Sequence, residues 1–162
     1  MSKALTKQEL HNLAMNHVGK DLEQRGFEFI AINSKLKRHP QFVCMDKNKQ
    51  YYFVIVRAVI LPENANNYDI VWMESFKKHA QEHNAKILYA GVGLGNPNGE
   101  DLPIYLNEEY LIEYNGIQVI ETHLNVRSLE VFIRSGINVF LSFKSLSNCT
   151  FFLLSVKRAV GF

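Results

Sequence analysis

The sequence predicts an α+β domain whose elements follow the order αβββαβ. Three observations carry this prediction: residues 6–25 place apolar side chains at helical spacing, three β-type segments lie between residues 27 and 59, and an amphipathic stretch over residues 69–84 leads into a buried strand. Helices and strands do not alternate one by one, as they would in a doubly wound parallel sheet. With 162 residues, of which 47% are apolar, the chain is long enough to bury the core of such a domain.

The first helix has both a start and a stop signal. Thr6-Lys7-Gln8-Glu9 has the form of a capping box, and Gly26 stands where helices commonly end. Between these signals the apolar positions recur every three or four residues, at Leu10, Leu13, Ala14, Val18 and Leu22. The pattern predicts an amphipathic helix.

Three strands are predicted next, at residues 27–33, 42–46 and 51–59. The third reads YYFVIVRAV and has apolar or aromatic residues on both faces, which indicates a central strand covered on both sides. The short polar segment at residues 47–50 predicts that the second and third strands form a hairpin.

In the second half of the chain, Asp69 is placed to cap a helix that ends near residue 84, and residues 86–90 read as a buried strand. Residues 103–121 predict a β extension with a hairpin around Asn115-Gly116. We therefore predict a core domain at residues 1–122. The remaining residues, 123–162, form an appended tail with a short helix and two strands.

The N-terminal sequence lacks the apolar core of a secretory signal, which favours a cytoplasmic protein. The stretch at residues 137–156 has a single charge, but polar side chains interrupt it and its apolar pieces are too short to span a membrane. Cys44 and Cys149 lie far apart, so cysteine alone cannot hold an iron–sulfur cluster or a four-cysteine zinc site. We therefore expect no membrane association and no cofactor.

Three stretches at the predicted element boundaries carry a family resemblance. Gly26-Phe27 closes the first helix, His39-Pro40-Gln41-Phe42-Val43 opens the second strand, and Phe53-Val54-Ile55-Val56-Arg57 lies in the third. Together with the αβββαβ order they resemble the PD-(D/E)XK superfamily, which has the restriction-endonuclease-like fold. In that superfamily, an acid after the proline and an acid-x-lysine pattern in the next strand hold magnesium and a water at the edge of a DNA groove.

The chain departs from that motif at its functional positions. The resemblance places Gln41 at the first acid, Ile55 at the second and Arg57 at the lysine, while Met15 stands where some members have a helix glutamate. Between Glu28 and Glu63 the only acidic residue is Asp46, and the third strand has none. We therefore assign no catalytic residue and no metal ligand. Arg57 does not deprotonate and cannot serve as a base, but it can bind a phosphate or a carboxylate.

A closer resemblance covers residues 1–122. The stretches ELHNLAMNHVGK, NSKLKRHPQFVC, VIVRAV, PENANNYDIV and YAGVGLGN are similar to a family of short bacterial proteins of unknown function. Members are often named as one component of the sodium-translocating NADH-quinone reductase. The name does not fit these residues, because the genuine component resembles a flavin and iron–sulfur reductase that needs four clustered cysteines and a longer chain.

Two local motifs each have a catalytic and a structural interpretation. Residues 79–83, HAQEH, match the inverted zinc-protease motif, and residues 91–95, GVGLG, resemble a phosphate loop. The zinc enzymes need a distant third ligand and a larger fold, and a phosphate loop needs a helix after it, whereas residues 96–99 are turn sequence. We therefore predict a histidine pair at a helix edge and a flexible strand exit.

The net charge of +2 conceals blocks of opposite sign. Residues 34–59 hold six basic residues and one acid, whereas residues 60–122 hold three basic residues and ten acids. In the nuclease-like fold the basic block would border the groove that faces DNA. The candidate binding residues lie in this block: Arg57, Lys35, Lys37, Arg38, His39, Gln41, Lys47 and Lys49.

The resulting hypothesis is a catalytically inactive nuclease-fold module that binds nucleic acid or a phosphate-bearing ligand through this basic face. A first alternative is a self-associating module that does not bind nucleic acid, in which the oppositely charged blocks pair between copies of a homo-oligomer. A second alternative is a metal-dependent nuclease with migrated acids, for which Asp46, Asp69 and Glu9 are the candidates.

Overall fold

The computed structural model describes residues 3–121 together with the backbone of two strands at residues 139–146 and 149–156. The chain divides into two units, Met1–Thr122 and His123–Phe162. The elements of the first unit are, in chain order, α1 (Lys7–Gln24), β1 (Glu28–Ile32), β2 (Phe42–Met45), β3 (Tyr51–Ile60), α2 (Ile70–Glu82), β4 (Ala85–Gly95), β5 (Leu111–Tyr114) and β6 (Gln118–Ile120).

The described strands of this unit form one six-stranded mixed sheet, which confirms the α+β class. Strands β1, β2 and β3 are antiparallel neighbours, and β4 runs parallel to β3 on its other side. The register places Val54 of β3 beside Phe42 of β2 and beside Leu88 of β4. Both central strands are therefore paired along both edges.

Each helix packs against one face of the sheet and forms a separate core there. Alternate residues of β3 and β4 belong to one core or the other. Val54 and Val56 pack with α1 residues such as Val18, whereas Phe53 and Ile55 pack with α2 residues. Side chains of successive strand residues point to opposite faces, so this alternation places a helix on each face. The prediction that the third strand is covered on both sides is confirmed.

The helix signals read from the sequence are confirmed. Thr6 accepts a hydrogen bond from the backbone of Glu9, and the Glu9 carboxylate accepts one in return from the Thr6 backbone at 2.7 Å. Asp69 caps α2 by accepting from the backbone N–H of Trp72 at 3.0 Å. Gly26 adopts a φ of 80°, which explains why glycine follows α1.

The predicted strand at residues 86–90 is too short. Strand β4 continues through the glycine-rich segment to Gly95 and pairs with β3 over ten positions. Its glycines make room for the chain that leaves β3: a Cβ added at Gly91 would lie 2.4 Å from the carbonyl oxygen of Ala65, and one at Gly93 would lie 2.6 Å from Leu61. The segment is thus a packing surface for residues 61–68, which differs from the flexible exit that the sequence suggested.

The predicted hairpin around Asn115-Gly116 is wrong. Strands β5 and β6 do not pair with each other but follow one another along the same edge of β4, both antiparallel to it. A two-residue hairpin turn of the predicted type needs a positive φ at both central residues, and of these two only Gly116 has one. The free edge of β4 offers both segments a longer partner.

In the second unit, β7 (Val139–Leu146) and β8 (Cys149–Val156) form an antiparallel pair. Its register runs from Val139 opposite Val156 to Leu146 opposite Cys149. The short helix expected in the tail lies outside the described residues. Among the helices that the structure describes, none has the length and apolar character needed to cross a membrane.

We expect Gly91→Ala to lower the free energy of unfolding by about 1–3 kcal/mol, because the added methyl group overlaps the backbone of Ala65. Urea unfolding followed by circular dichroism measures this. The matched control is Gly99→Ala, where the new Cβ meets only the Leu102 side chain at 3.4 Å and the change should stay within about 0.5 kcal/mol. Equal losses for both variants would contradict the packing role of Gly91.

The capping box predicts a pH-dependent contribution from Glu9. Hydrogen bonds from the Thr6 backbone and hydroxyl lower the pKa of Glu9 from 4.5 to about 2. The charged carboxylate therefore stabilises the fold above pH 4.5, and this stabilisation is lost as the pH falls towards 2. The difference in unfolding free energy between wild type and Glu9→Gln should shrink over that range. In a Thr6→Ala background, which keeps the backbone bond and removes the hydroxyl, the pH dependence of the difference should be weaker, and an unchanged dependence would exclude the contribution of the hydroxyl.

Candidate functional site

Residues 34–41, in the loop that joins β1 to β2, carry three of the six basic residues of the 34–59 block and are called the basic loop below. Gln8 of α1 holds it in place: its Nε2 donates to the carbonyl of Ser34 at 2.7 Å, and its Oε1 accepts from the backbone N–H of Leu36 at 3.0 Å. Lys37 has a φ of 64°, a left-handed conformation that is uncommon for a residue with a side chain. The loop is therefore anchored to the helix on one face of the sheet.

Gln41 ends the basic loop and is completely buried. Its Oε1 accepts a hydrogen bond from the backbone N–H of Val56 at 2.9 Å, and its Nε2 donates to the carbonyl of Arg38 at 2.8 Å. The same amide lies beside the His39 ring, with Nε2 2.8 Å from Nδ1. Gln41 thus ties the loop to β3, and its amide groups are already used within the protein.

A cavity of about 330 Å³ lies where α1, the basic loop, β3 and the start of α2 meet, and it is called the β3 cavity below. Its cationic lining comes from Lys37 of the loop and Arg57 of β3, and the His39 ring lines the same cavity. Half-buried Tyr68 and Trp72 provide aromatic surface. This combination of apolar walls with a few polar groups is typical of small-molecule sites.

Arg57 of the β3 cavity forms an ion pair with Glu63 and lies near Tyr89. Its Nη2 lies 2.6 Å from Oε1 of Glu63, in an ion pair whose side chains are 34% and 59% exposed. Burial raises the pKa of Tyr89 to about 12, and the positive charge of Arg57 opposes that rise. The Tyr89 hydroxyl donates to the carbonyl of Ala65 at 2.6 Å, so it stays protonated and fixes the loop after β3.

Two histidines of the β3 cavity differ in their surroundings. The His39 ring stands edge-on to Trp72 with centroids 4.8 Å apart. His11 of α1 is 2% exposed, and its Nε2 has no hydrogen-bond partner among the described residues. Burial lowers the pKa of His11, and the charge of His39 lowers it further, which favours the neutral imidazole.

The eight candidate binding residues do not lie on one face. Lys37, His39 and Arg57 line the β3 cavity, and Lys35 and Arg38 are exposed on the same loop. Lys47 and Lys49 lie in the turn between β2 and β3, at the other end of these strands, because the pairing begins at Phe42 with Val54 and ends at Met45 with Tyr51. Gln41 lies behind the cavity wall, in contact with His39.

The acids considered as migrated metal ligands also lie apart. Asp69 lines the β3 cavity, but its Oδ1 caps α2. Asp46 accepts the backbone hydrogen bonds of the β2–β3 turn, and Glu9 belongs to the capping box of α1. Within residues 3–121, no cluster of three or more histidine, cysteine, aspartate or glutamate side chains is arranged to hold a metal ion.

The H-x-x-E-H motif lies at the C-terminal end of α2, and its two histidine rings contact each other. His79 and His83 have centroids 4.7 Å apart, and both rings lie against Phe53, at 5.7 and 5.8 Å. The Nδ1 atom of His79 is 3.9 Å from the Glu82 carboxylate. These contacts correspond to the structural interpretation, in which the histidines cover the edge of an apolar core.

Three residues that line the β3 cavity are absent from the candidates predicted from the sequence: His11, Tyr68 and Trp72. His11 lies three residues before Ala14 and four before Met15, both buried on the inner face of α1. A histidine on the buried face of an amphipathic helix is a usable signal, because such a ring needs a polar partner. Tyr68 and Trp72 carry no comparable signal, since aromatic residues beside a helix start are ordinary core residues.

We expect Gln41→Leu to lower the free energy of unfolding by about 1–3 kcal/mol, because the change leaves the Val56 N–H and the Arg38 carbonyl without their partner. Urea unfolding measures the loss. Gln24→Leu, at the exposed end of α1, is the matched control and should change stability by less than about 0.5 kcal/mol. Equal stability of Gln41→Leu and wild type would show that the amide does not hold the loop.

Comparison with known proteins bears on the core unit alone. A search of curated proteins finds no match to this chain. A family model described as a domain of unknown function, DUF8840, matches residues 8–120. The match begins within α1 and ends at the last residue of β6, so it covers the whole sheet of the first unit. The chain therefore belongs to the DUF8840 family.

Proposed function

We propose that this protein is a non-catalytic binding module with a restriction-endonuclease-like core, and that it binds a phosphate-bearing ligand in the β3 cavity. The topology supports the fold assignment. An antiparallel β1–β2–β3 meander follows α1, a helix crosses to the other face, and β4 then adds parallel to β3. This is the αβββαβ order on which the resemblance to that superfamily rests.

The observation that carries the proposal is the convergence of Lys37, His39 and Arg57 on one concave surface. A guanidinium presents paired N–H donors that match two phosphate oxygens, and an ammonium adds a compact charge beside them. The one acid among the described lining residues, Asp69, already accepts a backbone hydrogen bond at the start of α2. The cavity therefore favours an anionic ligand.

The shape of the site favours a ligand within the cavity over a long nucleic-acid duplex. Binding along a duplex uses many phosphate contacts spread over one face. Here Lys47 and Lys49 lie at the opposite end of β2 and β3 from Arg57. A volume of about 330 Å³ is at the lower end of the range of small-molecule pockets, roughly 300–1,000 Å³. Nucleic acid would then be held through a single terminal phosphate.

The same geometry supports a role without hydrolysis. The superfamily motif has two acids and a lysine, and this chain has other side chains at those three positions. They are the buried amide of Gln41, the apolar and buried Ile55, and the guanidinium of Arg57. The amide is engaged by Val56 and Arg38, and a guanidinium stays protonated near neutral pH. Of the three side chains, Arg57 can hold a phosphate in place, and none is a base that could activate water.

The test is a titration with pyrophosphate, a 5′-phosphorylated single-stranded oligonucleotide and a blunt duplex of the same length, read by isothermal calorimetry at low and high salt. We expect pyrophosphate and the phosphorylated strand to bind. Lys37→Gln with Arg57→Gln should weaken binding at least about tenfold, because it removes two cations from the cavity. Glu63→Gln should strengthen binding, since it releases Arg57 from its ion pair.

Lys47→Gln with Lys49→Gln is the matched control, because it removes the same charge from the distant turn. This variant should change affinity less than about threefold. A larger loss of affinity in the control than in the cavity variant would show that the ligand binds along an extended basic face and not in the cavity. Absence of binding by all three probes at low salt would overturn the proposal.

A further inference from the structure

The unpartnered nitrogen of His11 points to a ligand group beyond the phosphate. A buried polar atom without a hydrogen-bond partner is destabilising and uncommon in folded proteins. His11 is 2% exposed, its Nε2 lacks a partner among the described residues, and the residue lines the β3 cavity. The Nε2 atom is shielded from solvent, so a ligand in the cavity gains this hydrogen bond when the His11 ring turns towards it.

The aromatic part of the same cavity narrows the chemistry of that ligand. Trp72 stacks on Phe76 with centroids 5.3 Å apart and planes at 16°, so its ring is fixed in orientation. Tyr68 packs on the buried Tyr89 at 4.9 Å. Fixed aromatic rings at the wall of a cavity are suited to stacking with planar heterocycles such as nucleobases.

We propose that the ligand is a nucleoside monophosphate whose phosphate lies at Lys37 and Arg57 and whose base forms a hydrogen bond with His11 Nε2. This inference rests on the proposed function, because it takes the phosphate subsite as given. It adds a second subsite, made of His11, Tyr68 and Trp72, that recognises a flat ring with a polar edge. The terminal nucleotide of a single strand presents the same chemistry, and the experiment separates the two sources.

The experiment compares four ribonucleoside 5′-monophosphates with ribose 5-phosphate, which keeps the sugar and phosphate but lacks a base. Wild type should bind at least one nucleotide about tenfold or more tightly than ribose 5-phosphate, because stacking and a hydrogen bond each add to affinity. His11→Phe keeps a ring and removes both nitrogens, so it should weaken binding of that nucleotide about threefold or more and leave the part of the preference that stacking on Trp72 and Tyr68 supplies. The affinity for ribose 5-phosphate itself should not change.

Two further variants test whether the effect is specific to the polar group of His11. His17→Phe alters the other histidine of α1, which stands edge-on to Tyr114 outside the cavity, and it should leave both affinities unchanged. His11→Gln retains a polar group near the Nε2 position and should keep part of the preference for the nucleotide. The Nε2 nitrogen resonance of His11 should shift when the nucleotide binds and stay in place when ribose 5-phosphate binds.

The outcomes distinguish this inference from the proposed function. Equal affinity of wild type for nucleotides and ribose 5-phosphate, or a His11→Phe variant that folds and retains the full preference, would overturn the base subsite and leave the phosphate site standing. Failure of every phosphate compound to bind would overturn both. A phosphorylated single strand that binds about tenfold or more tightly than any free nucleotide would assign the subsite to a strand terminus.

Discussion

The arrangement of the candidate site depends on one buried amide. Strand β2 begins at Phe42, so the backbone of Val56 further along β3 has no strand partner on that side. The side chain of Gln41 takes the place of that partner and at the same time bonds to the Arg38 carbonyl and contacts the His39 ring. This group, together with the two hydrogen bonds from Gln8 at the other end of the loop, sets the position of the basic loop relative to Arg57.

A second constraint shapes the other wall of the β3 cavity. The chain leaving β3 crosses over β4, and the absence of a side chain at Gly91 allows the Ala65 backbone to lie directly on that strand. The Tyr89 hydroxyl then bonds to the Ala65 carbonyl and fixes the segment that leads to Tyr68 and Asp69. Packing under this loop therefore decides where the aromatic residues and the start of α2 lie.

Part of the site could be predicted from the sequence because its signals are local. The basic block marked Lys37, His39 and Arg57, but it marked Lys47 and Lys49 equally, since neighbours in sequence can lie at opposite ends of a strand pair. The Asn115-Gly116 turn signal is also local, and it failed because the long free edge of β4 competes with the hairpin. His11 was missed because its significance depends on cavity residues that lie far away in the sequence, from Leu36 onwards.

By itself, the sequence determined the helices with their caps, the three-stranded meander and the burial of β3 on both faces, because periodicity and capping act within a few residues of each other. Only the tertiary structure decided that β4 extends through its glycines, that β5 and β6 share one edge, and that His11, Lys37, Arg57 and Trp72 surround one cavity. These features depend on strand pairing and on packing between distant segments. Such contacts form where the whole fold leaves an edge or a space to be filled, and the local pattern carries no information about them.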